Sequence, residues 1–429
     1  MLRTYNNWIA RKQVRQYLLG ILFLLSFLQS IQLVEIKTLS GGIPVSIVYL
    51  FSIVFIPWLL THIKDLRLPP WYISGLFVYV IVYAAIASFR WGISRTILNW
   101  IYGAYLLVVV LTFSRDFSWE DWKKVLGYVA LLFAVAHIIN CFLNWNAITK
   151  IIFNTVHRNY TMSLTAATSY QSLTRGGRNL DATWLCLSTF FVPDRWKIPY
   201  WAYGLLFSLL FFSRVGIIIC ALFLIWYLFT KRKQIKLSKM HIILLVSLLV
   251  AVGAGLYFSG ILTVLFKRFT GIGVDKPFLE AILSGRKPIL DRTWSMFQDN
   301  PFGYGCGNAM SVMKANYGFT SYEGVTHNVF TQFLLDEGFL GGLWFLGLSI
   351  AFIIKEAKMK FQHPLAMYFL SYLVLSLVQF HGGEGQMQFV LGVYISVRIL
   401  GERNAISKTA DPNIALGQQD RPTSEEYAQ

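Results

Sequence analysis

Residues 327–354 read HNVFTQFLLDEGFLGGLWFLGLSIAFII, and how this apolar stretch is divided decides what the chain builds. As one helix it would be about 42 Å long at about 1.5 Å per residue, against a hydrocarbon core of about 30 Å. It would also hold Asp336 and Glu337 near mid-membrane, where ionisable groups are expensive. A break at Gly338 removes both difficulties. Residues 327–337 then form a short amphipathic helix at the outer interface, with Val329, Phe330, Phe333 and Leu334 on one face. Asn328, Thr331 and Gln332 fall on the other. The span proper starts after Gly338, where Gly341-Gly342 permit close helix packing.

Outward from this stretch the same texture repeats. The chain of 429 residues is 55% hydrophobic and only 14% charged, whereas soluble domains carry about a quarter charged residues. Apolar runs at 17–34, 45–61, 71–88, 96–113, 125–143, 180–193, 198–213, 215–230, 241–260, 338–354, 365–380 and 387–400 predict an all-α polytopic membrane protein of about twelve transmembrane helices. The membrane domain covers 1–402 and a polar, disordered cytoplasmic tail covers 403–429. Two long loops, 144–179 and 261–326, lie on the non-cytoplasmic side. The N-terminal MLRTYNNWIARKQVRQ is basic, and the run after it ends without a small-residue cleavage site, so it reads as a first span and not a signal peptide.

Lys and Arg gather in alternate segments: 1–16, 62–70, 114–124, 194–197, 231–239 (KRKQIKLSK), 355–363 and the tail from Arg398. In the short opposite loops Lys37, Arg90, Arg95 and Arg214 are the basic residues, so both termini are expected in the cytoplasm. The net charge of +17 is read as lining membrane faces and an anion site. No basic run stands apart from the spans, which argues against nucleic acid as a partner. Cys141, Cys186, Cys220 and Cys306 lack the spacing of a disulfide framework or a zinc site. No paired carboxylates or metal-ligand pattern suggest a metal or cofactor, and no internal repeat suggests a two-halved transporter.

The non-cytoplasmic side collects the residues with chemical potential. Arg214 sits in SRVG at 213–216, between two runs. Arg286 sits in SGRKPILDRTW at 284–294, which ends on Trp294 and is followed by NPFGYGCGN at 300–308. His327 and Asn328 open the amphipathic helix, and Arg175 and Arg178 lie in TRGGRNLD at 174–181. Each has a plain reading: a snorkelling arginine, a solvated loop charge, a helix start, a glycine turn. Together they describe guanidinium groups converging on a phosphate or pyrophosphate at headgroup depth. A neutral histidine beside them accepts a proton from an attacking hydroxyl. The implied chemistry displaces a lipid pyrophosphate from an activated substrate.

In these same pieces, with HNVFTQFLLDEGFLGG at 327–342 the most specific, the chain resembles the O-antigen ligase/polymerase superfamily of bacterial inner membranes. The resemblance covers roughly residues 170–400 and implies a GT-C-like fold with a long periplasmic loop. It implies glycan transfer from undecaprenyl pyrophosphate at the periplasmic face, without metal or cofactor. Arg214 and Arg286 would hold the pyrophosphate, and His327 would orient or deprotonate the acceptor hydroxyl; these three are the candidate catalytic residues. Arg178, Arg175, Asn328 and Trp294 are candidate substrate-binding residues, although RNLDATW departs from the family's usual Asn-Pro-Asn-like stretch. The partners implied are the undecaprenyl-pyrophosphate-linked glycan and membrane lipids, with a chain-length regulator and a flippase alongside. Polymerisation of lipid-linked repeat units is the expected reaction, and ligation to lipid A core is the alternative. A lipid-linked oligosaccharide flippase would need charges along a mid-membrane path, and a scaffold would leave the arginines without a purpose.

Overall fold

The computed structural model of the protein describes residues 10–28, 32–38, 41–92, 94, 96–157, 160–174, 177–231, 287–317, 328–377 and 384–401. In chain order the elements are α1 (Lys12–Phe27), β1 (Gln32–Thr38), β2 (Gly41–Ser46), α2 (Ile47–Thr61), α3 (Trp71–Trp91), α4 (Thr96–Phe113), α5 (Trp119–Leu143), α6 (Trp145–Val156), α7 (Tyr160–Thr168) and α8 (Gly177–Ser188). They continue with α9 (Asp194–Leu210), α10 (Arg214–Lys231), α11 (Lys287–Asp299), α12 (Ala309–Asn316), α13 (Val329–Asp336), α14 (Gly338–Lys358), α15 (Pro364–Leu375) and α16 (Gly385–Leu400). Among the described residues, α3, α4, α5, α10 and α14 are long and apolar enough to cross a membrane, and α2, α15 and α16 are shorter apolar helices. Apart from the β1–β2 hairpin, the described residues have the helical architecture of a polytopic membrane protein. The run at 241–260 and the tail 403–429 lie outside the described residues.

Several predicted boundaries move, each for a local reason. The run 17–34 stops being helix at Phe27, because Gln32–Thr38 pairs antiparallel with Gly41–Ser46, Ile36 opposite Ile43. This hairpin is the one departure from all-α among the described residues; alternation in QLVEIKT suits a strand better than a span. The run 45–61 is helix interrupted by a 3₁₀ turn at Ile53–Phe55. The run 180–193 ends at Ser188, ahead of Pro193, whose extended backbone opens α9. The long segment 144–179 is not irregular: it holds α6 and α7, and α6 turns an apolar face of Ala147, Ile148 and Ile151 inward. Within 261–326, residues 287–317 carry α11 and α12.

Aromatic packing ties the helices together. Phe23 of α1 stacks on Phe389 of α16 with ring centroids 4.5 Å apart, and Phe27 stacks on Phe133 of α5 at 4.6 Å. Such pairs contribute about 0.5–1.5 kcal/mol each beyond the area they bury. On α5, Ser118 makes a capping box with Asp121: the Ser118 hydroxyl accepts from the Asp121 N–H at 3.3 Å, and the Asp121 carboxylate accepts from the Ser118 N–H at 2.8 Å.

Contacts between helix ends sort the bundle into two ends. At one, Lys12 pairs with Asp121 at 2.6 Å and Arg15 with Asp116 at 2.7 Å. Also there, Trp119 packs on His363, Trp226 donates to the Phe361 carbonyl at 3.0 Å, and Arg398 pairs with Glu356 at 3.1 Å. At the other, the Val329 N–H donates to the Ser376 carbonyl at 2.8 Å and Asn308 donates to the Gly92 carbonyl at 2.9 Å. The first is the basic end. Lys12, near the start of the described chain, and Arg398, near its finish, both lie there. That matches an even number of crossings.

Candidate functional site

The end opposite the basic one contains a knot between two distant segments. The chain turns sharply at Gly338, with φ of 67°, so α13 and α14 are separate helices as the length argument required. Into that corner fits the loop 300–308, whose Gly303, Gly305 and Gly307 also have positive φ. A Cβ on Gly338 would stand 2.2 Å from the Phe302 carbonyl oxygen, so only glycine fits there. The loop copies a missing turn of backbone pairing. The Tyr304 N–H donates to the Leu335 carbonyl at 2.9 Å, Gly305 to the Asp336 carbonyl at 2.7 Å, and Phe339 to the Pro301 carbonyl at 2.9 Å.

Asp336 is the hub. Its carboxylate accepts from the Gly307 N–H at 2.8 Å, the Ala309 N–H at 3.2 Å and the Gln332 side chain at 2.6 Å. It therefore serves the N-terminal turn of α12 from 27 residues away. The polar face expected of α13 is therefore partly covered: Gln332 is buried, whereas Asn328 and Thr331 are half-buried. Gln332, Asp336 and Glu337 are 5%, 4% and 2% exposed. The break at Gly338 does not bring the carboxylates out to water; it gives Asp336 donors inside. Glu337 differs: its Oε2 finds no hydrogen-bond partner among the described residues. Burial, and then the neighbouring Asp336 charge, push its carboxyl well above the ordinary range.

A second arrangement at the same end concerns the arginines. Ser213 and Gly216 of SRVG have plain structural work. The Ser213 hydroxyl accepts from the Gly216 N–H at 3.3 Å, and a Cβ on Gly216 would meet Ser208 at 2.1 Å and Ala182 at 3.3 Å. The close approach puts α10 against α8. Ala182 adjoins Gly216, and Cys186 Sγ is 3.5 Å from Cys220 Sγ, so the two helices run parallel with a fixed offset. Arg178 and Arg214 then sit near the N-terminal starts of neighbouring parallel helices, within about half a helical turn of the same level. Both are half-buried. The turn delivering Arg214 contains Phe212 at φ 55°, a conformation costing about 1–3 kcal/mol for a non-glycine residue. Asp181, fully buried, anchors the approach to α8: it accepts from the Leu173 N–H at 3.1 Å, the Thr174 N–H at 3.0 Å and the Thr174 hydroxyl at 2.6 Å.

The C-terminus of α10 reaches the basic end through Trp226, so Arg214 lies at the opposite end, where Val329 also begins α13. Arg214, Arg178 and Asn328 thus share one end of the bundle. Arg175, Arg286 and His327 lie outside the described residues; Arg286 directly precedes α11 and His327 directly precedes Asn328. Asn328 is the N-cap of α13, its Oδ1 accepting from the N–H groups of Phe330 at 2.9 Å and Thr331 at 3.1 Å, so that oxygen is committed to the helix. Trp294 is 59% exposed on α11, beside Phe297. Sequence reasoning missed Asp336, Gln332 and Asp181 as buried acceptors and donors. A polar residue one turn ahead of Asp336, at i−4, was the available signal for the first two.

Comparison with known proteins adds one finding. Residues 200–346 match a family model described as O-Antigen ligase. No curated protein and no solved structure matches the chain. The matched stretch contains both arrangements described above, the SRVG turn with Arg214 and the loop 300–308 locked on Gly338, so residues 200–346 are similar to the O-antigen ligase family in the part of the chain that carries them.

Proposed function

We propose that the protein polymerises undecaprenyl-pyrophosphate-linked oligosaccharide repeat units at the periplasmic face of a bacterial inner membrane. The observation that carries this reading is the parallel pairing of α8 and α10, which brings Arg178 and Arg214 to one level at the end where α13 begins. Two helix N-termini add partial positive charge to the two guanidiniums, a setting that favours a diphosphate.

In the proposed step an acceptor sugar hydroxyl attacks the anomeric carbon of the lipid-linked glycan. The new glycosidic C–O bond forms as the bond from that carbon to the pyrophosphate oxygen breaks, and the lipid pyrophosphate leaves. Arg214 and Arg286 balance the charge that grows on the leaving group. His327 takes the hydroxyl proton. Both termini are cytoplasmic in this reading, since the basic end carries the lysine-rich connections.

The test uses purified protein with lipid-linked repeat units, without ATP or a gradient. Longer lipid-linked chains are the expected product. Transfer only when core-bearing lipid A is supplied assigns a ligase instead, and lipid movement without new glycosidic bonds assigns a flippase. Arg286→Ala should abolish transfer at unchanged abundance. His327→Ala should slow turnover more than it weakens donor binding; unchanged turnover removes the histidine from the chemistry.

A further inference from the structure

The basic end holds a cavity that the transfer reaction does not use. It has a volume of about 670 Å³ and opens among the N-terminal ends of α5 and α9, the C-terminal end of α10 and the connection between α14 and α15. Lys123, Lys197, Lys231 and Lys360 line it, one from each of these four places, and Asp194 is the one carboxylate lining it among the described residues. Glu120 lies beside it, 3.8 Å from Lys123, with both side chains in solvent. Four ammonium groups against Asp194 in the lining and Glu120 beside it leave a net positive concavity.

The cavity is built and not merely a ring of surface charge. Lys197 is 7% exposed, with its Nζ 2.8 Å from Asp194 Oδ1 and 5.5 Å above the Trp226 ring. Asp194 Oδ2 accepts from Lys231 at 3.2 Å, so one carboxylate aligns two lysines. Trp226 is itself fixed by its hydrogen bond to the Phe361 carbonyl. Lys360 and Phe361 hold consecutive left-handed backbone conformations, φ 54° and 48°, unfavourable for non-glycine residues; the turn they make sets Lys360 at the rim.

We propose that this cavity binds the phosphate headgroup of an anionic phospholipid from the leaflet at the basic end. Three features favour a lipid over a soluble phosphate. The cavity sits where membrane-crossing helices end. Trp119 and Trp226 in its wall are the residue type that settles at headgroup depth. Basic pockets between helix ends on the cytoplasmic side suit anionic headgroups. The site is independent of the proposed transfer chemistry, being at the other end of α10 from Arg214.

The experiment titrates the full chain in detergent with phosphatidylglycerol, phosphatidylcholine or inorganic phosphate, and counts bound ligand by native mass spectrometry. Phosphatidylglycerol should bind at least about tenfold more tightly than phosphatidylcholine. Each of Lys123→Gln and Lys360→Gln should weaken phosphatidylglycerol about fivefold, since each lysine near an anionic headgroup contributes on that scale. Both side chains are at the surface, so folding is preserved, and the Lys→Arg pair should retain binding. Equal affinity for the two lipids overturns the proposal, as do glutamine variants that bind like wild type. Displacement of phosphatidylglycerol by an equal concentration of inorganic phosphate also overturns it, because the site would then serve a soluble anion.

Discussion

Within the stretch that matches the O-antigen ligase family, the Gly338 knot and the SRVG turn look alike as sequence, each a few polar residues among glycines. Their physics is opposite. In the knot the polar groups answer one another: Asp336 takes two backbone N–H groups and the Gln332 amide, and the glycines admit the loop 300–308. In SRVG, Ser213 and Gly216 build the turn and the packing, while Arg214 stands half-buried at the start of α10. The knot thus closes a fold requirement on its own polar groups, whereas SRVG uses turn geometry and close packing to set a guanidinium at the start of a helix.

That contrast breaks most sharply at Gly338. Gly338→Ala combines a positive φ with a Cβ 2.2 Å from a carbonyl oxygen, so the loss should exceed about 4 kcal/mol. Membrane abundance and thermal unfolding should both show failure to fold. Wild-type melting would remove the knot's structural role. Arg214→Ala should do the reverse, lowering the proposed glycan transfer by about 10²–10³ fold with an unchanged melting curve. Equal loss of stability and activity would make it another fold residue.

Asp336→Ala strands two backbone donors in the interior, at about 1–3 kcal/mol each, and denaturant titration should register it. Its neighbour should behave differently. Glu337 has its ionisation raised by burial, so the unfolded chain sheds that proton first. Stability then falls as pH rises from about 4.5, the ordinary value, up to the raised one. Glu337→Gln should abolish this decline and be stabilising at neutral pH; a destabilised variant would mean the carboxylate is ionised in a paired state.

The smallest effect belongs to Asp116 at the basic end. Burial acts to raise its carboxyl, but the Arg15 hydrogen bond and charge outweigh that and lower it. Its contribution is thus present above the ordinary carboxylate range and lost as pH falls through the lowered value. Asp116→Asn should cost less than about 1 kcal/mol near neutral pH, less still in high salt.

The membrane class, most of the apolar helices, the break at Gly338 and the alternation of basic segments were legible in the chain itself. Each rests on local quantities: hydropathy over about 20 residues, helix length against bilayer thickness, and the count of Lys and Arg between spans. The tertiary structure decided the rest. Asp336 is tolerable inside because Gly307 and Ala309, 29 and 27 residues away, present their N–H groups to it, and no local window contains that pairing. The parallel seating of α8 on α10 likewise depends on Gly216 meeting Ala182 across 34 residues of chain. Local propensity says where a helix is. Which helix it touches, and which charge it can shelter, follows from packing between segments whose separation in sequence carries no signal.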